Sequence, residues 1–296
     1  MRRSFAELSA LRHRISLPIA KKAFGELEGA HQSLLTGSGE DFDDLAAYRP
    51  GDNVTRIDWK ASARAGYPII RRYLRQTNMS VMLAVDTGAA MQATSPSGES
   101  KAEIAADIID VVAYLSHARS DACGLVTITD GEVEQLPARV GTHHVELLRH
   151  HARRALKTAG GDERLETVLA RLDALVRRRS IIVIITDAYA FSDRAAAITK
   201  RLAVRHNVVM LQVSDIDPEQ LAGCQVRDIQ VGLYPHFVFR DAQVRAQLAR
   251  ELARRRAEVA ERISHLAIPT TRVGGRDDIV PALERLVDVR AKGRAS

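Results

Sequence analysis

The most constraining feature of this chain is a series of short apolar runs that alternate with segments of helical periodicity. The two clearest runs are residues 81–85, which end at Asp86, and residues 181–185, which end at Thr186 and Asp187. Apolar runs of about four to eight residues, without polar alternation, are typical of strands covered on both faces of a parallel sheet. The sequence therefore predicts an α/β class, with a doubly wound, mostly parallel sheet flanked by helices.

The remaining strands and helices are predicted from the same alternation of apolar runs and helical periodicity. An Asp130-Gly131 turn predicts that residues 133–136 fold back on a strand at 123–129. Further strands are predicted at 208–213 and 270–273, and a hairpin of 226–231 with 237–239 is predicted around Tyr234-Pro235. One helix is predicted to begin at a capping box formed by Ser100 and Glu103. Further helices are predicted at about 143–156, 165–176, 193–204, 244–266 and 279–289.

Length and composition favour one large domain with an appended segment. The chain has 296 residues, of which 46% are hydrophobic and only 4% aromatic, so it can bury a sizeable, mainly aliphatic core. We expect residues 1–78 to form an N-terminal helical or irregular segment. Residues 79–296 are expected to form the α/β domain.

Charge, cysteines and hydropathy narrow the class of protein. The 43 basic and 37 acidic residues give a net charge of +6, but the arginines are spread along predicted helices, so nucleic-acid binding is disfavoured. Cys123 and Cys224 lie far apart and form no metal-ligand spacing, which fits a reducing compartment. No apolar run approaches the roughly 20 residues of a membrane helix, and no secretory signal is present. We expect a cytoplasmic protein without membrane insertion.

Residues 41–73, DFDDLAAYRPGDNVTRIDWKASARAGYPIIRRY, carry special residues where packing alone would not require them. Pro50, Gly51 and Asp52 form a typical turn sequence. Asp58 lies between Ile57 and Trp59, and a carboxylate between large apolar groups is either paired or costly. One interpretation is an internal ion-pair network with nearby arginines, in which Asp58→Ala would cost about 3–5 kcal/mol. The other is a surface that binds a partner protein.

This segment resembles the hallmark of the family catalogued as domain of unknown function 58. The residues that match its pattern are Asp41, Phe42, Tyr48, Pro50, Gly51, Asp52, Ile57, Asp58, Trp59, Ala63 and Arg64. The chain departs from the pattern at Ala46, where family members commonly have an arginine two residues before the tyrosine.

The resemblance implies a von Willebrand factor A-like domain after the hallmark, associated with a AAA+ ATPase of the MoxR type. Longer relatives carry membrane helices ahead of the hallmark, so the resemblance here is to a soluble short form. Tyr48, Pro50, Gly51, Asp52, Asp58, Trp59 and Arg64 are the candidate hallmark residues, with a partner-binding or structural role.

The carboxyl ends of parallel strands are where ligands collect in open α/β sheets, which draws attention to the acidic residues there. The resemblance implies a metal-ion-dependent adhesion site at this edge, with the pattern Asp-x-Ser-x-Ser after the first strand. Asp86 and Asp187 match, but Gly88 and Ala90 replace the two serines, and Asp162 falls near the threonine position. These three carboxylates could hold Mg²⁺ in a degenerate site. Otherwise Asp86 and Asp187 cap helices or bind loop amides.

Two function classes remain open. No phosphate-binding loop, metalloprotease helix or nucleophile elbow occurs in the sequence, so we expect no catalytic residue and no enzyme activity. The favoured class is a non-catalytic adaptor that works with a MoxR-type ATPase in chaperone-like maturation of a complex. The alternative is a metal-dependent hydrolase or nucleic-acid-binding protein that uses Asp86, Asp162 and Asp187 as a carboxylate cluster.

Overall fold

The computed structural model describes residues 41–49, 54–74, 79–158, 165–187, 191–216, 227–228, 232–233 and 242–292. The described residues 41–74 belong to one compact unit, and those from 79 onwards belong to a second. We call them the hallmark unit and the sheet unit.

The sheet unit is built on six strands that alternate with helices. The strands are β3 (Ser80–Val85), β4 (Ala122–Thr129), β5 (Glu132–Arg139), β6 (Ile181–Asp187), β7 (Asn207–Val213) and β10 (Thr270–Val273). Their order across the sheet is β10-β7-β6-β3-β4-β5, and every neighbouring pair is parallel except β4 with β5. The predicted doubly wound, mostly parallel architecture is confirmed.

Helices cover the two faces of this sheet because its central strands are apolar on both sides. One buried cluster joins the sheet to α2 (Lys101–Ala118), α3 (Thr142–Thr158) and α7 (Ile279–Lys292). The other joins it to α4 (Leu165–Leu175), α5 (Asp193–Arg205) and α6 (Ala242–Ser264). Strands β3 and β6 contribute alternate side chains to the two clusters, as a period of two requires.

Helix α2 is buried on nearly all sides, and two of its buried residues, Asp107 and Asp110, are carboxylates. Asp110 accepts hydrogen bonds from Arg149 and Arg153 of α3, at 2.9 Å from Arg149 Nε and 2.6 Å from Arg153 Nη2. Asp107 forms an ion pair with Arg276, with Nε 2.6 Å from Oδ2. These arginines neutralise carboxylates that would be costly to bury alone.

The hallmark unit contains a small sheet that the sequence analysis did not predict. Strand β1 (Asp41–Ala47) pairs antiparallel with β2 (Ile69–Leu74), and helix α1 (Trp59–Ala65) lies between them in the chain. A 3₁₀ turn at Val54–Arg56 precedes α1. Neither strand shows the apolar–polar alternation that would have identified it from sequence.

The predicted elements of the sheet unit are found within a few residues of their expected limits. The Asp130-Gly131 turn is confirmed, because both residues have positive φ, 52° and 80°, as a two-residue hairpin turn requires. The hairpin expected around Tyr234-Pro235 is shifted: β8 (Arg227–Asp228) pairs with β9 (Gly232–Leu233), and residues 234–241 lie outside the described residues. Ser100 precedes α2, but its side chain makes no capping hydrogen bond, so the predicted capping box is wrong.

Gly124 in β4 is the position where this fold tolerates a side chain least. A Cβ added there would lie 2.8 Å from the Ala138 nitrogen and 2.9 Å from the Leu136 oxygen of β5. The pairing of β4 with β5 is irregular at this point, between Cys123 and Leu125. The two backbones therefore approach too closely for any residue with a Cβ.

We predict that Gly124→Ala lowers the free energy of unfolding by about 1–3 kcal/mol, the usual cost of overpacking. Urea unfolding followed by circular dichroism measures this loss. The sulphur of Met82 also lies 2.7 Å from the added Cβ. Adding Met82→Ala to Gly124→Ala should not restore stability, because backbone atoms of β5 remain in the way. Recovery in the double variant would mean that the clash is with the flexible side chain alone.

Candidate functional site

The carboxyl ends of β3 and β6 form the switch point of the sheet. The chain passes from β3 to β4 on one side, whereas β6 pairs with β3 on the other side and leads to β7. The two crossovers diverge here, and in open α/β sheets a crevice forms at such a point. Asp86 follows β3, Asp187 ends β6, and Asp215 comes two residues after the end of β7.

Asp86 is fixed by hydrogen bonds from both sides. Its Oδ1 accepts a hydrogen bond from the Gly88 backbone N–H at 2.9 Å, and its Oδ2 accepts one from Thr186 Oγ1 at 2.8 Å. Its own N–H donates to the Ile185 carbonyl, which continues the β3–β6 pairing beyond the strand. Asp86 therefore ties the loop after β3 to the end of β6.

Burial governs the acidity of Asp86. The residue is only 4% exposed, and this burial raises its pKa from 3.8 to about 6. The hydrogen bonds from Gly88 and Thr186 and the charge of Lys101 lower the pKa of Asp86, while the neighbouring charge of Asp187 raises it. Desolvation wins because the hydrogen bonds replace only part of the lost hydration.

A lysine lies at the centre of this edge of the sheet. Lys101, the first residue of α2, has no exposed surface, and its Nζ donates hydrogen bonds to Asp187 Oδ2 and to Asp215 Oδ1. The distance from Nζ to Asp215 Oδ1 is 2.7 Å. The cluster of Lys101, Asp187 and Asp215, called here the lysine cluster, joins α2 to β6 and to the segment after β7.

The carboxylates of the lysine cluster stabilise the charged form of Lys101, and Lys101 in turn stabilises the charged form of Asp215. Burial acts to lower the pKa of Lys101, but the carboxylates of Asp187 and Asp215 outweigh it, and the net effect is a raised pKa. Burial and the nearby charge of Asp187 raise the pKa of Asp215 to about 7, despite the opposing effect of Lys101. The side chain of Lys101 is thus charged at neutral pH, and it lies between the buried Asp187 and Asp215, whose side chain is 21% exposed.

Two of the predicted strand-end residues are brought together and one lies outside the described residues. Asp86 and Asp187 occupy neighbouring strand ends, while Asp162 falls in 159–164, which the structure does not describe. Gly88 precedes a 3₁₀ turn at Ala89–Gln92, so Gly88 and Ala90 lie in the loop that Asp86 organises.

Lys101 and Asp215 were missed by sequence reasoning. A signal for Lys101 existed, because position 101 shares a helical face with Ile104 and Ile108, which are fully buried. A lysine on that face requires a buried carboxylate partner. Asp215 gave no comparable signal, since its role depends on β7 lying next to β6.

The donors at this edge do not fit a divalent cation as they are arranged. Among the described residues, no group of three or more histidine, cysteine, aspartate or glutamate side chains is placed to hold a metal ion. Asp187 is already neutralised by Lys101, and Asp86 is bound to Gly88 and Thr186. The Mg²⁺ site expected at Asp86, Asp187 and Asp162 stays a prediction.

In the hallmark unit, Asp58 is the N-cap of α1. Its Oδ1 accepts hydrogen bonds from the backbone N–H groups of Lys60 and Ala61, each at 3.0 Å. Ser62 Oγ donates to the Asp58 carbonyl at 2.7 Å and accepts from the Ile69 N–H at 2.8 Å, which attaches α1 to β2. Asp58 is half-buried, and its position between Ile57 and Trp59 places it at the start of a helix.

The other hallmark residues divide between backbone and surface roles. The Tyr48 N–H donates to the Pro68 carbonyl, and Gly66 ends α1 with φ of 78°, the left-handed conformation favoured by glycine. Trp59 and Arg64 are exposed on α1. Pro50, Gly51 and Asp52 lie outside the described residues.

Comparison with known proteins agrees with the hallmark. A family model described as "Protein of unknown function DUF58" matches residues 44–258. The chain belongs to this family. An uncharacterized protein of Mycobacterium tuberculosis is similar to it, at 26% identity over 97% of this chain and 91% of that protein. An uncharacterized protein of Mycobacterium avium is 28% identical over 54% of this chain and 95% of its own length.

Two solved structures of low similarity complete the comparison. The conserved hypothetical protein BatB from Bacteroides thetaiotaomicron matches with a TM-score of 0.45 and 16% identity, over 72% of this chain and 99% of its own. A von Willebrand factor type A protein from Catenulispora acidiphila matches with a TM-score of 0.42 and 10% identity, over 75% of this chain and 44% of its own.

In the part of the chain that the structure describes, no helix combines the length and apolar character needed to cross a bilayer.

The raised pKa of Asp86 predicts a pH dependence of stability. Between about pH 4 and 6 the unfolded chain has an ionised Asp86 while the folded protein retains the proton, so raising the pH through this window destabilises the fold. The rise in pKa from 3.8 to about 6 corresponds to about 3 kcal/mol. In Asp86→Asn, the free energy of unfolding between pH 4 and 7 should therefore decrease by about 2 kcal/mol less than in the unmodified protein, since part of the total falls outside this range.

Urea unfolding at several pH values measures this difference, and Thr186→Val is the matched comparison. The Thr186 hydrogen bond lowers the pKa of Asp86, so its removal should extend the destabilisation to higher pH. Identical pH slopes in the unmodified protein and Asp86→Asn would contradict the assignment.

The capping role of Asp58 leads to a different stability prediction. Asp58→Ala should cost about 1 kcal/mol, the usual loss for an N-cap, in place of the about 3–5 kcal/mol for breaking a buried ion pair. Asp58→Asn should be nearly neutral, because an asparagine side chain caps a helix equally well. Chemical denaturation of the two variants distinguishes the roles: a large loss in both would indicate that the charge of Asp58, and not its cap, holds the segment.

Proposed function

We propose that this protein is a non-catalytic adaptor that binds a partner protein through the exposed face of α1 in the hallmark unit. The partner we propose is a AAA+ ATPase of the MoxR type, acting with this chain in chaperone-like maturation of a complex. An ATP-driven partner would require both proteins to be in the cytoplasm. Membership of the DUF58 family is the starting point for this proposal.

The observation that carries the proposal is the exposure of Trp59. This residue is the only tryptophan in the chain, and its relative exposure is 72%. Val54 and Tyr67, in the same unit, are also exposed, at 59% and 54%. Large exposed apolar side chains that gather in one segment are typical of a binding surface, and tryptophan is among the residues that most often dominate binding energy.

The local structure supports a surface that is ready for binding. Trp59 is the first residue of α1, and this end of the helix is fixed by the cap of Asp58 and by the Ser62 bonds to β2. A side chain on a preformed helix loses less conformational freedom on binding than one on an unstructured loop.

The charges around Trp59 favour a partner with an acidic surface. Lys60 and Arg64 are exposed on the same short helix, and Arg49 is exposed before it. Complementary charge mainly raises the rate of association and fixes orientation. An acidic groove with an apolar pocket for the indole ring is the surface that these residues would recognise.

The alternative of a metal-dependent hydrolase or nucleic-acid-binding protein finds less support. It requires free carboxylates at the strand ends, whereas Asp187 accepts a hydrogen bond from Lys101 in an ion pair, and Asp86 accepts hydrogen bonds from Gly88 and Thr186. We therefore propose that the protein has no catalytic activity of its own.

The docking proposal predicts that Trp59→Ala weakens binding to a co-encoded MoxR-type ATPase by roughly 30-fold, the effect of losing an interface hot spot. Biolayer interferometry with both purified proteins measures the affinity. The melting temperature should hardly change, because Trp59 is mostly outside any core.

Val204→Ala is the matched control, since Val204 of α5 is 82% exposed and lies outside the hallmark unit. It should bind as the unmodified protein does. Unchanged affinity in Trp59→Ala would show that α1 is not the docking surface. If the unmodified protein does not bind the ATPase, the ATPase is not the partner.

A further inference from the structure

In the lysine cluster, two carboxylates of the kind that bind metal ions surround the ammonium of a lysine of the same chain. Lys101 has no exposed surface, and Asp187 is 1% exposed. Two carboxylates from two different strand ends converge on one ammonium, at the switch point where an α/β sheet normally receives a ligand.

We propose that the ammonium of Lys101 is a built-in cation that takes the place of a divalent metal ion at the strand ends. Mg²⁺ is commonly bound through one or two carboxylates and water molecules. Asp187 and Asp215 provide two such side chains, but both already bind the ammonium of Lys101, which a metal ion would have to displace.

The position of Lys101 in α2 supports this assignment. A positive charge at a helix N-terminus is unfavourable, because the helix dipole is positive at that end. Burial adds a further penalty for the charged form. Both penalties are offset by Asp187 and Asp215. The presence of a buried lysine at the start of α2 is therefore explained by its contacts with these residues, since the helix itself does not favour it there.

The loop after β3 agrees with a site that does not use a metal. Gly88 and Ala90 offer no side-chain oxygen, and Asp86 is committed to the Gly88 N–H and to Thr186. The hydroxyl of Thr87 in this loop donates to the Ile128 carbonyl at 2.8 Å, and positions 88 and 90 supply no hydroxyl that could complete the coordination of Mg²⁺. A built-in ammonium needs no such ligands, since it donates hydrogen bonds directly to Asp187 and Asp215.

This inference has a consequence for recognition that is independent of the partner's identity. Lys101 is completely covered, so a partner's carboxylate cannot reach the cation in the way that it would reach an open position on a metal ion. Any docking by this chain should then be insensitive to chelators and to added Mg²⁺.

The first test compares the unmodified protein, Lys101→Ala and the double variant Lys101→Ala/Asp187→Asn. Thermal unfolding and isothermal titration are carried out with millimolar MgCl₂ or MnCl₂, against NaCl of equal ionic strength. The unmodified protein should show no metal-dependent shift and no binding heat. Lys101→Ala should melt several degrees lower without metal, recover part of that loss with metal, and release binding heat. The double variant should lose the response, because it lacks one of the two carboxylates.

A second measurement uses the unmodified protein and does not depend on whether Lys101→Ala folds. Amine labelling of the native protein, mapped by mass spectrometry, should modify the exposed Lys60, Lys157 and Lys200 while Lys101 remains protected. Protection should be the same with Mg²⁺ and with EDTA. Metal binding by the unmodified protein, a metal-dependent loss of Lys101 protection, or a folded Lys101→Ala without any metal response would overturn the proposal.

Discussion

The interaction on which the strand-end region depends is the contact of the Lys101 ammonium with Asp187 and Asp215. A buried ion pair is stable only when its geometry offsets the loss of hydration, and here one ammonium is met by two carboxylates from separate segments. The three residues belong to α2, β6 and the segment after β7, so this contact fixes the start of α2 against the sheet.

Asp86 and Asp187 show how similar sequence positions acquire different chemistry. Each lies at the end of a central apolar strand, and both are almost completely buried. Asp187 meets a full positive charge, whereas Asp86 meets a backbone N–H and a hydroxyl. Burial raises the pKa of Asp86 to about 6, because the hydrogen bonds from Gly88 and Thr186 replace only part of the lost hydration. Asp86 thus makes folding dependent on pH, whereas Asp187 mainly holds elements together.

The sequence was sufficient for the sheet unit because its central strands are apolar on both faces, which leaves few other structures for such runs. It was not sufficient for the lysine cluster, since periodicity places Lys101 on a buried face without identifying which carboxylates it meets. Those depend on the strand order β3-β6-β7, a property of the folded sheet. Asp58 illustrates the opposite difficulty: Ile57 and Trp59 suggested burial, but Trp59 begins a surface helix and Asp58 caps it.

The two units therefore present different kinds of surface. In the sheet unit, Lys101 forms ion pairs with Asp187 and Asp215 at the edge where α/β proteins usually bind ligands. In the hallmark unit, a short capped helix leaves its tryptophan exposed beside basic residues. Exposure of a large apolar side chain is unfavourable unless a partner covers it for part of the time, whereas a buried and compensated lysine requires no partner. Recognition is thus expected to reside in the hallmark unit, with the strand-end region supporting the fold of its own unit.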